Sequence, residues 1–276
     1  MKHWISASVA LLALSAVPAQ ASEATFDRTL TVSGRVTLHV STGSGNIHIT
    51  SGSGNQIHIV GRVHWRGDQE DRARQIVANP PIEQTGSIVN IGDHLENLHN
   101  ISIDYDVQAP ANTFLNASSG SGNVTDEGVG TNAKLSTGSG NIHAEGLSES
   151  YSVETGSGDI FAKGSGSGDI KANTGSGNIE LQGISGGLRA QTGSGDIKLG
   201  GQPKAEWHVT TGSGNVEMWA SNSALTLRAS TGSGSIHVEN VAMENTHSDR
   251  QNLSTQLHGG GPLVRVETGS GDIRIH

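Results

Sequence analysis

Lys134-Leu-Ser-Thr-Gly-Ser-Gly-Asn-Ile-His-Ala144 and Ser152-Val-Glu-Thr-Gly-Ser-Gly-Asp-Ile-Phe-Ala162 are one unit written twice, 18 residues apart. Its Gly-Ser-Gly centre begins at Gly43, Gly52, Gly120, Gly138, Gly156, Gly166, Gly175, Gly193, Gly212, Gly232 and Gly269. From Gly120 onward the steps are 18, 18, 19 (split by Gly166), 18, 19, 20 and 37, the last reading as two periods with one degraded coil. Self-similarity at a fixed period of this size is the signature of stacked repeats, each burying its apolar face against its neighbours.

Counting each unit from its first glycine, position −3 is apolar (Leu135, Val153, Ala190, Val209, Ala229, Val266). Position +4 is Ile or Val at Ile142, Ile160, Ile170, Ile179, Ile197, Val216, Ile236 and Ile273. Position +6 is usually apolar. Alternation on both sides of the glycines is the strand pattern. The seven residues between −3 and +4 break that parity, so the glycines mark a corner. Gly138, Gly140, Gly156, Gly158, Gly175, Gly177, Gly193 and Gly195 are expected there at positive φ. Asn141, Asp159, Asn178 and Asp196 follow as turn residues. A further Gly at +8 (Gly128, Gly146, Gly164, Gly183, Gly201) marks a second corner, giving two short strands per coil. Stacked coils pair equivalent strands about 4.8 Å apart. The expectation is an all-β, single-stranded parallel β-helix (β-solenoid) of about 18-residue coils. Ile142, Ile160, Ile179, Ile197, Val216, Ile236 and Ile273 form its core column, and the Thr or Ser at −1 forms a hydroxyl column.

The 276-residue chain has 39 Gly, no Cys, 3% aromatic and 33% hydrophobic residues, a thin core that suits a narrow stack better than a globule. Residues 1–21 read as a secretory signal: Lys2, an apolar run from Ile5 to Val17, and Ala19-Gln20-Ala21 at the cleavage site. That run is short of the roughly 20 residues a spanning helix needs. Its removal leaves 16 basic against 26 acidic residues, net −10, the wrong sign for nucleic acid or an anionic membrane. A secreted chain without disulfides fits a bacterial periplasm, outer cell surface or extracellular setting. The divisions read as 22–60, N-terminal strands and first coils; 61–113, an insertion; and 114–276, the solenoid. In the insertion a helix is expected from Asp68, as N-cap, to Ala78, stopped by Asn79-Pro80-Pro81. Strands follow at Ser87–Ile91 and Ile101–Val107. Residues 240–262 read as a polar loop. Because the chain stops just after a corner, either end-to-end self-association or a cover from 240–262 is expected at that end.

The repeated Ser-Thr-Gly-Ser-Gly-Asn-Ile unit, and Ile101-Ser-Ile-Asp-Tyr-Asp-Val-Gln-Ala-Pro-Ala-Asn-Thr113 before it, resemble the bacterial β-strand-repeat family of candidate adhesins. That family includes the auto-transporter-adhesin head GIN type, and the likeness covers about residues 25–276. It implies a right-handed β-helix at the cell envelope, with no catalytic residues to carry over.

Motifs with chemical readings each have a simpler one. Gly183-Ile-Ser-Gly-Gly187 matches the hydrolase G-x-S-x-G, but that motif needs a strand-to-helix elbow. The Gly-Ser-Gly-Asp corners resemble calcium-binding turns, yet Asp alternates with Asn and turn chemistry suffices. Of the +5 positions (His48, His143, His237, Lys171, Lys198, Glu180, Glu217, Arg274), three are His and stacked His can bind metal, but these are not in consecutive coils and the positions read as a solvated face of mixed sign. Arg66-Gly-Asp68 resembles an integrin tripeptide, and Asp104 with Asp106 a carboxylate pair. The Thr column resembles an ice-binding array, though only one column wide. No catalytic residue, cofactor or metal is expected. The function expected is a non-enzymatic envelope or extracellular scaffold, an adhesin or surface-stress component, meeting a protein or glycan partner. A polysaccharide-active β-helix enzyme and a purely structural spacer are the alternatives.

Overall fold

The computed structural model describes residues 22–93, 98–220, 222–239 and 241–276; the signal reading of 1–21 lies outside them. The described residues form two long sheets, of twelve and thirteen strands, with one helix, Glu70–Ala78. From Phe114 the chain alternates between sheets: Phe114–Ser119 in the second, Val124–Glu127 in the first, Asn132–Thr137 in the second, Ile142–Leu147 in the first. Successive strands within a sheet pair in parallel with equivalent residues in register.

In the first sheet this builds the file Ile47–Val124–Ile142–Ile160–Ile179–Ile197–Val216–Ile273–Ile236. Its members are at most 1% exposed except Ile236, which is half-buried because its strand is the sheet's outermost. In the second sheet the facing file runs Ala117–Leu135–Val153–Ala172–Ala190–Val209–Val266–Ala229. Beside it runs a second file of mostly large side chains: Leu115–Ala133–Tyr151–Ile170–Leu188–Trp207–Val264–Leu227. Each buried aliphatic side chain contributes about 1.5–3 kcal/mol of transfer free energy.

Ile170 and Lys171 therefore lie in the second sheet, against Tyr151, Leu188, Ser152 and Arg189. The Gly-Ser-Gly-Asp at 166–169 occupies the opposite corner from its look-alikes, and Lys171 is not part of the first-sheet +5 file.

Both ends of the stack depart from chain order. Leu263–Thr268 and Ile273–Ile275 slot between the layer of Trp207–Trp219 and the layer of Leu225–Val238. The last residues are thus covered, and the anticipated bare end is not at His276. Residues 243–257 are not a loop but a hairpin, Met243–Ser248 and Asn252–Leu257. It extends the second sheet antiparallel to Leu225–Thr231. At the other end Ile101–Pro110 pairs in parallel with Ile47–Gly52, and Ile88–Ile91 with Thr37–Thr42. Much of 61–113 is therefore another layer of the stack rather than an insertion over it. Gln56–Trp65 and Ser22–Thr31 continue the first sheet antiparallel. The helix lies against these two strands through buried Ala73 and Ile76. It starts two residues after Asp68, with Gln69 at the cap position and no side-chain cap bond. Asp68 instead accepts from Gln69 Nε2.

Candidate functional site

The corner glycines do not sit at positive φ, apart from Gly54. Their constraint is vertical. A Cβ on Gly140 would lie 2.0 Å from the carbonyl oxygen of Gly122, and one on Gly195 1.9 Å from that of Gly177. Corners stack so closely that only hydrogen fits. Positive φ belongs to the second corner, at Gly128, Gly146 and Gly183.

Two polar columns lock the first corner. The Thr hydroxyls are buried: Thr155 donates to the Gly140 carbonyl at 2.8 Å and accepts from the Gly158 N–H at 3.2 Å. Thr137 and Thr174 repeat both bonds. Burial removes the exposed Thr face that an ice-binding array requires. Outside them runs a ladder of Asn and Asp. Each accepts, through Oδ1, the backbone N–H of its counterpart in the next layer. The order is Asp104, Asn46, Asn123, Asn141, Asp159, Asn178, Asp196, Asn215, Asp272, ending on the N–H of Ser235, at 2.7–3.0 Å. No two Asp are adjacent in this file. Two like charges one layer apart would repel by about 1 kcal/mol even in water. Asn178 and Asn215 further donate Nδ2 to the Oδ1 of Asp159 and Asp196. The Asn/Asp choice is therefore a cross-layer hydrogen bond that keeps charged residues from adjacent layers, and it answers the calcium-turn reading with a structural role.

Along this ladder lies an open groove of about 570 Å³. Its other wall is the outward file Thr125–His143–Phe161–Glu180–Lys198. The His143 and Phe161 rings stack at 4.7 Å and 14°.

The remaining candidates pair with their own neighbours. Asp104 takes the Asn46 N–H and His64 Nε2; Asp106 faces His48 Nδ1 at 3.2 Å and Arg62 Nη1 at 2.5 Å. His276 sits between Glu217 and Glu239 and stacks on exposed Trp219. Ser185, within the G-x-S-x-G match, donates to the Gly166 carbonyl at the second corner, with no helix following it. Among the described residues no group of His, Asp and Glu has the geometry of a metal site. His48, His143 and His237 are separated by other layers. The sequence reading missed Asp126, fully buried at an inward +6 position. Its signal was visible, a carboxylate in a column otherwise apolar.

A model of the Toastrack DUF4097 family, a domain of unknown function, matches residues 81–276. The chain belongs to the Toastrack DUF4097 family. Among solved structures, this Toastrack chain is similar to a candidate adhesin from Bacteroides fragilis NCTC 9343. The two share 14% identity and a TM-score of 0.50 over 92% of this chain and 98% of that one. A candidate adhesin and a candidate lipid-binding protein, both from Parabacteroides distasonis ATCC 8503, share 13% identity each. Their TM-scores are 0.35 and 0.36, over 92% and 91% of this chain and 97% and 96% of theirs. At such identity the Bacteroides likeness speaks for the fold. No curated protein matches.

Proposed function

We propose that this Toastrack protein is a non-enzymatic scaffold working outside the cytoplasm, a right-handed β-solenoid of about 18-residue coils whose outward strand faces meet an envelope or extracellular partner. The observation that carries this reading is the division of labour in each layer. Inward residues and the Thr column are consumed in stacking, while each sheet keeps two outward files, Thr125–His143–Phe161–Glu180 and Glu127–Glu145–Lys163–Gln182 in the first, Lys134–Ser152–Lys171–Arg189 and Ser136–Glu154–Asn173–Gln191 in the second. The turn set (Gly138 to Asp196) and the Ile/Val column (Ile142 to Ile273) then have structural roles. Acidic net charge points away from nucleic acid, and the signal-like leader points to export. The adhesin descriptions of the Bacteroides and Parabacteroides structures agree with such a role. Contact through many shallow positions makes affinity depend on the length engaged rather than on one pocket. Cell fractionation with protease shaving of intact cells tests the reading. The protein is expected in periplasmic, surface or medium fractions and absent from the cytosol. Retention in the cytosol, or cleavage of a polysaccharide by the purified protein, would overturn it.

A further inference from the structure

We propose that the groove between the Asn/Asp ladder and the outward file of the first sheet binds a neutral, extended glycan chain laid along the stack axis, one sugar ring per layer. This deepens the partner-presenting reading and rests on it.

The chemistry of the walls selects the occupant. Along the ladder from Asn123 to Asp196 every Oδ1 is committed to a backbone N–H. The atoms left over are the amide protons of Asn123 and Asn141, the second amide proton of Asn178 and the second carboxylate oxygens of Asp159 and Asp196, all on exposed residues. They form a row of donors and acceptors repeating every layer, about 4.8 Å. An extended peptide repeats every two residues, about 6.6 Å, and falls out of step with that row. A chain of equatorially linked pyranose rings advances by close to one layer per ring. It carries hydroxyls on its rim and C–H groups on its faces. The edges of the stacked His143 and Phe161 rings form an apolar strip along the groove against which those C–H groups pack. Within the groove Asp159, Asp196 and Glu180 outnumber Lys198, so a polyanionic glycan is repelled and a neutral one is not.

The test is titration calorimetry of the purified protein with cellohexaose and chitohexaose, with glucose and polygalacturonate as comparisons. Binding of at least one hexasaccharide, with no detectable glucose or polygalacturonate binding, is expected. The His143→Ala/Phe161→Ala variant should lose at least about tenfold in affinity. Lys171→Ala, on the other sheet, should bind as the parent does, and circular dichroism should show both variants folded. Absence of binding to both hexasaccharides, preference for polygalacturonate, or unchanged affinity in the folded double variant would overturn the proposal. If fractionation places the protein in the envelope and neither hexasaccharide binds, only the groove assignment fails. If hexasaccharide binding holds for a cytosolic protein, the location fails and the groove stands.

Discussion

Replacing Asp126 by Asn should stabilise this protein at neutral pH but not in acid. Asp126 stands in the first sheet between Ile49 and Ala144 and is fully buried. Its Oδ1 accepts the Val129 N–H at 3.2 Å, and its Oδ2 has no partner. Burial pushes its pKa from 3.8 up to about 8, opposed in part by the Val129 N–H and reinforced by the Glu127 carboxylate. The folded state therefore holds a proton that the unfolded chain releases above pH 4. Stability is greatest below the unfolded value and falls as pH rises toward 8, by about 1.4 kcal/mol per unit. At pH 7 the cost is about 4 kcal/mol. Asn copies the shape of the protonated acid and the acceptor for the Val129 N–H, buries one more unpaired donor than the acid's single O–H, and cannot ionise. Thermal unfolding at pH 4, 6 and 7.5 reads the difference. The Asn variant should melt no higher than the parent at pH 4 and gain on it steadily as pH rises, by about 2–4 °C per kcal/mol for a domain of this size. Parallel melting curves across that range would show that Asp126 is neither buried nor protonated as argued.

Three further outcomes follow from the corners and ends. Asn178→Asp stacks three carboxylates, at 159, 178 and 196, and removes the amide bond to Asp159. A loss of about 1–3 kcal/mol is expected at low salt, with part of it recovered in 1 M NaCl as the charges are screened; denaturant titration at both salts measures it. Gly140→Ala forces a methyl against the Gly122 carbonyl, whereas Gly43 has open space around the same atom. The first variant should lose more than about 2 kcal/mol and Gly43→Ala less than about 1 kcal/mol, by the same titration. Deleting the hairpin 243–257 bares the edge of Leu225–Thr231, so light scattering should show dimers or larger species where the full chain is monodisperse.

The strand alternation, the corners and the identity of the inward residues were legible in the sequence because each is local. Period two marks a strand, and Gly-Ser-Gly marks a tight corner. What could not be read is non-local. Gly166-Ser-Gly-Asp-Ile170 carries the same letters as the first corner but lies at the second, and only pairing with Tyr151 and Leu188 reveals it. Periodicity gives a repeat and not a stacking order. It therefore missed the last strands sliding beneath Leu225–Val238, and the 88–91 and 101–110 strands forming a layer of their own. The polar composition of 240–262 hid a hairpin because its strands are largely solvent-facing on one side, with only Leu253, Thr255 and Leu257 buried. At the corner glycines the expected positive φ is absent. Their backbone angles are ordinary, and the absent Cβ is a requirement of the layer below. The same vertical closeness explains the Asn/Asp ladder, which turn propensity alone does not.

Because the chain has no native cysteine, paired cysteines report which strands are neighbours. His208 and Arg265 are register partners in the second sheet, and Arg228 lies one layer beyond Arg265. Oxidation of His208→Cys/Arg265→Cys, followed by mass spectrometry, should give an intramolecular disulfide. His208→Cys/Arg228→Cys spans two layers, about 9–10 Å, beyond the roughly 7 Å limit for a bridge, and should stay reduced. A disulfide in the second pair and none in the first would contradict the layered order on which the ladder and the groove depend.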